Sequence, residues 1–267
     1  MLKDITLGQY YQADSVLHRM DPRVKLTATL LYIVSLFIVK NYIGYMIAAI
    51  FLLLCILLSK VPVKFMIRGM KSLLILMVIA SIFNLISVPG EVLFTVWKFN
   101  ISKEGIITAI KMVIRLVFLI MGSSVMTLTT TPNNLTDGLE RVMKPLKVIK
   151  VPVHEIAMMM SIALRFIPIL MEETDKIMKA QMARGVDFET GGLIKKAKNM
   201  VPLLVPLFVS AFRRANDLAM AMEARCYMGG EGRTKMKPLK YERRDILAYI
   251  VLLIYMVLCV VLGRVLL

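Results

Sequence analysis

Two arginines at the ends of matching segments are the residues best placed to do chemistry in this chain. Lys179-Ala180-Gln181-Met182-Ala183-Arg184-Gly185 and Met220-Ala221-Met222-Glu223-Ala224-Arg225-Cys226 both read Ala-x-x-Ala-Arg-small. The chemistry on offer is recognition: a guanidinium presents a planar fork of donors that fits a carboxylate or a row of helix carbonyls. A cation in a last turn also suits the negative end of a helix dipole, and a glycine just beyond permits a left-handed exit, so two plain C-caps are the bland alternative. That alternative leaves unexplained why small residues crowd each arginine. Ala183, Arg184 and Gly185, with Ala224, Arg225 and Cys226, form two matching plugs that another backbone can approach closely.

The other candidate groups carry less. Lys111 and Arg115 lie inside an apolar stretch, where charge is costly and often marks a pathway or a buried pairing. Their spacing of four sets them on one helical face, so they can equally face protein or snorkel outward. His154-Glu155 stands at a helix start, and His18 is the chain's other histidine, so no cluster exists for zinc or general-base work. Asp137-Gly138 is faintly similar to the acidic motif of membrane phosphotransferases, but Leu139–Met143 adds no second aspartate to hold metal ions. The chain has no Gly-x-x-x-x-Gly-Lys-Ser/Thr and hence no P-loop. It is read as not an enzyme, with no metal site and no cofactor.

These groups must be positioned by a membrane protein. Of 267 residues, 58% are apolar and the mean hydropathy is +0.72. Soluble domains average about 45–50% apolar, so much of this surface meets lipid. The formal charge of +16 could suit nucleic acid, but basic residues flanking apolar spans are the signature of cytoplasmic loops on a membrane protein, and that reading is preferred, with no nucleic-acid partner. Cys55 and Cys259 lie in apolar runs and Cys226 ends the second plug, which gives neither a disulfide framework nor a Cys-x-x-Cys site. Lys3, Asp4 and Asp14 precede any apolar run, so a cleaved signal peptide is not expected.

Asp21 is suited to N-cap a helix whose first position is Pro22, which has no amide hydrogen to leave unpaired. Spans are expected over 26–39, 42–59, 72–87, 105–129 and 245–266, with a short turn at Lys40-Asn41 and an interfacial segment over 88–104 that contains Trp97. Thr131-Pro132 repeats the cap-then-proline start, opening a short amphipathic helix with Leu135, Leu139 and Val142 on one side. Two long helices follow, Val151 to Ala183 and Leu193 onward, the second kinked by Pro202 and Pro206. Ala157 with Ser161, and Ala211 with Ala215 and Ala219, recur every four residues and would let these helices cross at short range. The fold is therefore all-α: about five transmembrane helices plus a cytoplasmic coupling region of one short and two long crossing helices. Its parts are a membrane domain over 1–129, a coupling domain over 130–243 and a last span over 244–267. The basic segments set the N-terminus and both arginine plugs in the cytoplasm.

Across nearly its whole length the sequence resembles the transmembrane T component of energy-coupling factor (ECF) transporters. Leu17-His18-Arg19-Met20-Asp21-Pro22-Arg23-Val24-Lys25, Ser161-Ile162-Ala163-Leu164-Arg165-Phe166-Ile167-Pro168 and the two arginine endings carry the resemblance. It implies a scaffold in the cytoplasmic membrane of a prokaryote. Such a scaffold joins two ABC-type ATPase subunits, each docked on one arginine motif, to a small substrate-binding S component that can be interchangeable. It also implies a vitamin or other micronutrient as substrate. The second ending departs from the pattern, with Cys226 in place of glycine, and an exit of slightly different shape is expected there. The competing reading is a self-contained secondary transporter using Lys111, Arg115 and Asn84, though no inverted repeat is evident.

Overall fold

The computed structural model describes residues 10–265 apart from 40, 72, 91, 97–98, 189–191, 231–235 and 237. The expected contributions of Lys40 and Trp97 lie outside the described residues. Two compact units emerge, one built from Gly8–Val142 with Leu239–Leu267 and one from Met143–Pro238.

The first unit starts from the proline-capped helix that the sequence announces. Asp21 accepts from the Arg23 amide at 2.8 Å and opens α2 (Pro22–Ile38), after the single turn α1 (Val16–Arg19). Next come α3 (Tyr42–Ser59), α4 (Val63–Lys71), α5 (Leu74–Ser87), α6 (Lys103–Thr129) and α7 (Pro132–Val142). The expected third span is a broken one, since α4 and α5 meet at 63°. The core lies where α2, α3, α6 and α10 (Arg243–Val265) meet, with Leu36, Ala48, Val125 and Leu252 buried. Phe51 and Tyr255 stack there with centroids 4.4 Å apart, and Tyr32 borders both rings.

Between α5 and α6 the expected interfacial segment contains an antiparallel pair, β1 (Val92–Val96) and β2 (Phe99–Ser102). Its two runs are rich in β-branched and aromatic residues and lie two residues apart, which is a hairpin spacing. Ser102 then caps α6 by accepting from the Gly105 amide at 3.0 Å.

The far end of α6 is closed by the N-terminal segment. A helix leaves its last carbonyls unpaired. Here the Tyr11 amide donates to the Leu128 carbonyl and the buried Lys25 ammonium donates to Thr129 O, each at 2.9 Å. His18 holds the approach: its Nε2 lies 2.9 Å from the Tyr11 carbonyl and its Nδ1 2.7 Å from the Ser15 hydroxyl. Burial pushes its pKa down, favouring the neutral ring. Gly138 explains the Asp137-Gly138 pair without phosphotransferase chemistry. A side chain there would meet Leu26 at 3.0 Å and Pro22 at 3.1 Å, so glycine lets α7 lie close on α2.

The second unit is built on α8 (Val153–Ala183) and α9 (Leu193–Ala224), preceded by a 3-10 turn over Lys144–Ile149. Both helices run on through their internal prolines, Pro168 in α8 and Pro202 and Pro206 in α9. Val153, Ala157 and Leu203 are its buried apolar residues among those described. Met200, Leu204 and Phe208, at helical spacing along α9, are exposed. A helix pair with so little interior leaves its apolar faces for something else to cover.

Four helices are long and apolar enough to cross a membrane by length and composition: α3, α6, α8 and Arg243–Val261 of α10; counting the bent α4–α5 pair as one span gives five. The 17-residue α2 falls short of that length, while α8, expected in the coupling region, meets it. The protein is an all-α, multi-pass membrane protein that carries one small hairpin.

Candidate docking site

The arginine plugs are two copies of one local structure. At the end of α8 the amides of Arg184, Gly185 and Val186 donate to the carbonyls of Gln181, Met182 and Gln181 at 3.1, 3.0 and 3.0 Å. At the end of α9 the amides of Arg225, Cys226 and Tyr227 donate to Met222, Glu223 and Met222 at 3.1, 2.8 and 3.0 Å. Each set is a Schellman exit, in which two overlapping bonds satisfy the last carbonyls around one left-handed residue. Gly185 takes that position with φ 87° and Cys226 with φ 53°. The expected difference in exit is therefore absent from the hydrogen bonding: cysteine adopts the left-handed backbone that glycine adopts freely.

A non-glycine residue in that region pays for its Cβ, by about 1–2 kcal/mol. A Cβ added at Gly185 meets nothing within 4 Å, so Gly185→Ala carries the backbone penalty alone. The Val186 amide is expected to exchange its hydrogen about tenfold faster in Gly185→Ala, and the Tyr227 amide about tenfold slower in Cys226→Gly, as measured by hydrogen exchange. Unchanged rates in both would show that the exits are held by something other than their own backbone.

Arg184 and Arg225 are both exposed, as are Ala183, Gly185, Ala224 and Cys226 around them. Neither guanidinium has a partner among the described residues. The surrounding alanines are small, and each last stretch also exposes a methionine, Met182 in one case and Met220 in the other. Such a feature is suited to a contact that buries small apolar surface around a charge-assisted bond.

The expected small-residue stripes are used in part: Ala157 is buried and Ala211 half-buried, whereas Ser161, Ala215 and Ala219 are exposed. The two helices also share a polar clamp in which Glu173 of α8 accepts from the Ser210 hydroxyl at 2.5 Å and from Arg214 of α9 at 2.9 Å. Arg184 lies eleven residues beyond Glu173, and Arg225 eleven beyond Arg214. At 1.5 Å per residue, each arginine stands about 16 Å along its helix from the clamp. The clamp thus sits at the pivot of two equal arms. Sequence reasoning did not single out Glu173 or Arg214, because an acid and a base 41 residues apart carry no local signal.

The cations inside α6 are used within the protein. Arg115 donates to the Tyr45 hydroxyl at 3.1 and 2.9 Å and lies 5.6 Å from the Phe37 ring centroid, and the Lys111 ammonium lies 4.6 Å from that of Tyr42. Asn84 donates to the Ala80 carbonyl at 2.9 Å. The three groups on which a secondary transporter would depend are engaged in joining α6 to α2 and α3 and in α5 itself.

A family model described as CbiQ, cobalt transport protein, matches residues 13–236. Three curated relatives carry the description energy-coupling factor transporter transmembrane protein EcfT. The Clostridium kluyveri protein is 57% identical over 251 residues, covering 93% of each chain. Those of Thermosediminibacter oceani and Lactococcus lactis subsp. cremoris are 51% and 44% identical, covering 93% and 99% of this chain and 94% and 100% of theirs. The chain belongs to the EcfT/CbiQ family.

It is thus a transmembrane component of an ECF transporter, and the secondary-transporter reading is not favoured. The matched span 13–236 takes in both arginine exits, the Glu173 clamp and the Asp21-Pro22 start of α2. For a T component, equal exposed arms on a two-helix unit with almost no interior are features of a part that works by contact with other subunits.

Proposed function

We propose that this chain is the scaffold that couples ATP hydrolysis in two cytoplasmic ABC-type ATPase subunits to uptake through a small membrane S component. The observation that carries the proposal is the pair of matching exits, in which Arg184 and Arg225 stand exposed on identical hydrogen-bonded frames. Two like plugs call for two like sockets. Each guanidinium docks on one ATPase, against a carboxylate or helix carbonyls, with Ala183, Gly185, Ala224 and Cys226 allowing close approach. The stretch 130–243 acts as the coupling region between the membrane parts 1–129 and 244–267. Its exposed apolar stripe of Met200, Leu204 and Phe208, with the first half of α8, takes the S component. The N-terminus and both exits lie on the cytoplasmic side of a prokaryotic cell membrane, the arrangement favoured by the basic segments over 141–244. The cargo is a vitamin or similar micronutrient, held by the S component.

Capture of the full chain from its native membrane in gentle detergent tests this reading. Two P-loop ATPases together with one or more small membrane proteins should come with it, several different small proteins meaning a shared scaffold and one meaning a dedicated system. Recovery of the chain as a homo-oligomer without ATPases would overturn it.

A further inference from the structure

The first unit contains a cavity of about 280 Å³ that the coupling role leaves unused. It is walled by α2, α3, α6 and α10, with α1 across one end, and its lining is almost wholly apolar. A helix, about 10–12 Å across with its side chains, does not fit a space of that size, whereas a single hydrocarbon chain does.

The wall is thin on one side. Leu54 and Leu58 of α3 and Leu247 and Val251 of α10 line the cavity and are also exposed at the protein surface, so the slot opens between two helices long and apolar enough to span a bilayer. The polar end is basic. Arg244 lines the cavity one turn before Leu247; its Nε and one terminal nitrogen donate to Glu242 Oε2, which leaves the other terminal nitrogen, and Arg243 and Lys240 are beside it in sequence. Arg243 and Arg244 open an apolar spanning helix, and that position belongs to the head-group boundary whichever side of the membrane it faces. Lys25 lines the same end and is buried; its ammonium makes bonds to Thr129 O at 2.9 Å and His18 O at 3.4 Å, which leaves the third of its three hydrogens. With Arg23, these make five cations against the three carboxylates Asp21, Glu242 and Asp245. Tyr32 also lines the cavity; the residue is 3% exposed, and its hydroxyl has no hydrogen-bond partner among the described residues. The cavity is not finished as a dry protein core.

We propose that this slot holds one acyl chain of an anionic phospholipid, entering between α3 and α10, with the head group on Arg244 and Lys25. Basic pockets between spanning helices at the membrane surface select anionic head groups, and the apolar walls supply what a chain in bulk lipid would otherwise have. The lipid fills the junction at which α2, α6 and α10 meet, so it acts as a bound part of the scaffold, independently of which subunits dock on α8 and α9.

Native mass spectrometry of the whole transporter complex, released from nanodiscs of mixed phosphatidylglycerol and phosphatidylcholine, tests the proposal. The wild-type complex should retain one phosphatidylglycerol through delipidation. Ala248→Phe, which fills the cavity from α10, should remove it while the complex stays assembled; if that variant fails to assemble, Ala28→Leu fills the same space from α2. Arg244→Gln should lower the preference for phosphatidylglycerol over phosphatidylcholine by about fivefold, the contribution of one basic residue at a membrane surface. A wild-type complex without a selectively retained phosphatidylglycerol, or a cavity-filled complex that keeps it at wild-type occupancy, overturns the proposal.

Discussion

Arg184→Glu and Arg225→Glu are each expected to abolish uptake and to release an ATPase subunit from the membrane chain, with insertion and the α8–α9 pair unaffected. The expectation of an intact fold rests on exposure. Neither guanidinium has a partner among the described residues, and both C-caps are made by backbone bonds that the substitution leaves in place. The loss on binding is large because a buried charge-assisted contact becomes a repulsion. Breaking one side of such a pair costs about 3–5 kcal/mol, which corresponds to about two to four decades in affinity. Arg184→Lys keeps the charge and loses the planar fork, so it should dock with an intermediate deficit. Copurification of the ATPases with each variant, alongside uptake in cells, measures both consequences. Wild-type recovery and uptake in the two Glu variants would remove the arginines from the docking role.

The equal arms make a second comparison informative. Glu173, Ser210 and Arg214 set the pivot from which both exits project, and the arms match in length and in exit geometry despite glycine in one and cysteine in the other. A change at one arginine is therefore expected to report on one of the two proposed docking contacts without moving the other. The proline-capped starts and arginine-capped ends of the helices were legible in the sequence because capping is a local code: Asp21 before Pro22, Thr131 before Pro132, and Arg-small at 184–185 and 225–226 each act through bonds to residues within five positions. The clamp was not legible, since nothing near Glu173 names Arg214 as its partner. Lys111 and Arg115 could be set on one face of α6 by spacing alone, but Phe37, Tyr42 and Tyr45 are brought to them by the packing of α2 and α3. The alanine and serine stripes are a weaker guide for the complementary reason: small residues permit a close approach without requiring one, and of the five only Ala157 is buried. The hairpin has a readable signal in its runs of β-branched and aromatic residues, but the same aromatics also suit a segment at the membrane interface.

The membrane unit has its own node of this non-local kind, and Asp245→Ala should expose it. Asp245 is 2% exposed, and one carboxylate oxygen accepts from the Asp21 amide at 2.9 Å while the other accepts from the Glu242 amide at 2.8 Å. The second bond is half of a capping box that starts α10; the first ties α10 to the residue that caps α2, 224 positions away. Asp21 in turn binds the Arg23 guanidinium at 3.0 and 2.7 Å, and that guanidinium lies 3.9 Å from the Tyr241 ring centroid. One aspartate thus joins the first and last long helices of the unit at their N-termini. Alanine would leave two amides without acceptors and would take a negative charge from beside Arg23 and Lys25. The unpaired buried Asp21 amide costs about 1–3 kcal/mol and the lost cap on the exposed Glu242 about 1 kcal/mol, so a loss of about 2–4 kcal/mol is expected, or about 10 °C in the midpoint of thermal unfolding for a chain of this size. Asp245→Asn keeps one acceptor oxygen and should lose about half as much, a graded response that a simple change in surface charge would not give. Thermal unfolding of the two variants in the same detergent decides the matter. If Asp245→Ala melts with the wild-type protein, the junction of α2 and α10 is held by its core, through Leu36, Leu252, the stacked rings of Phe51 and Tyr255 and the 2.6 Å contact between the Ser35 and Tyr255 hydroxyls.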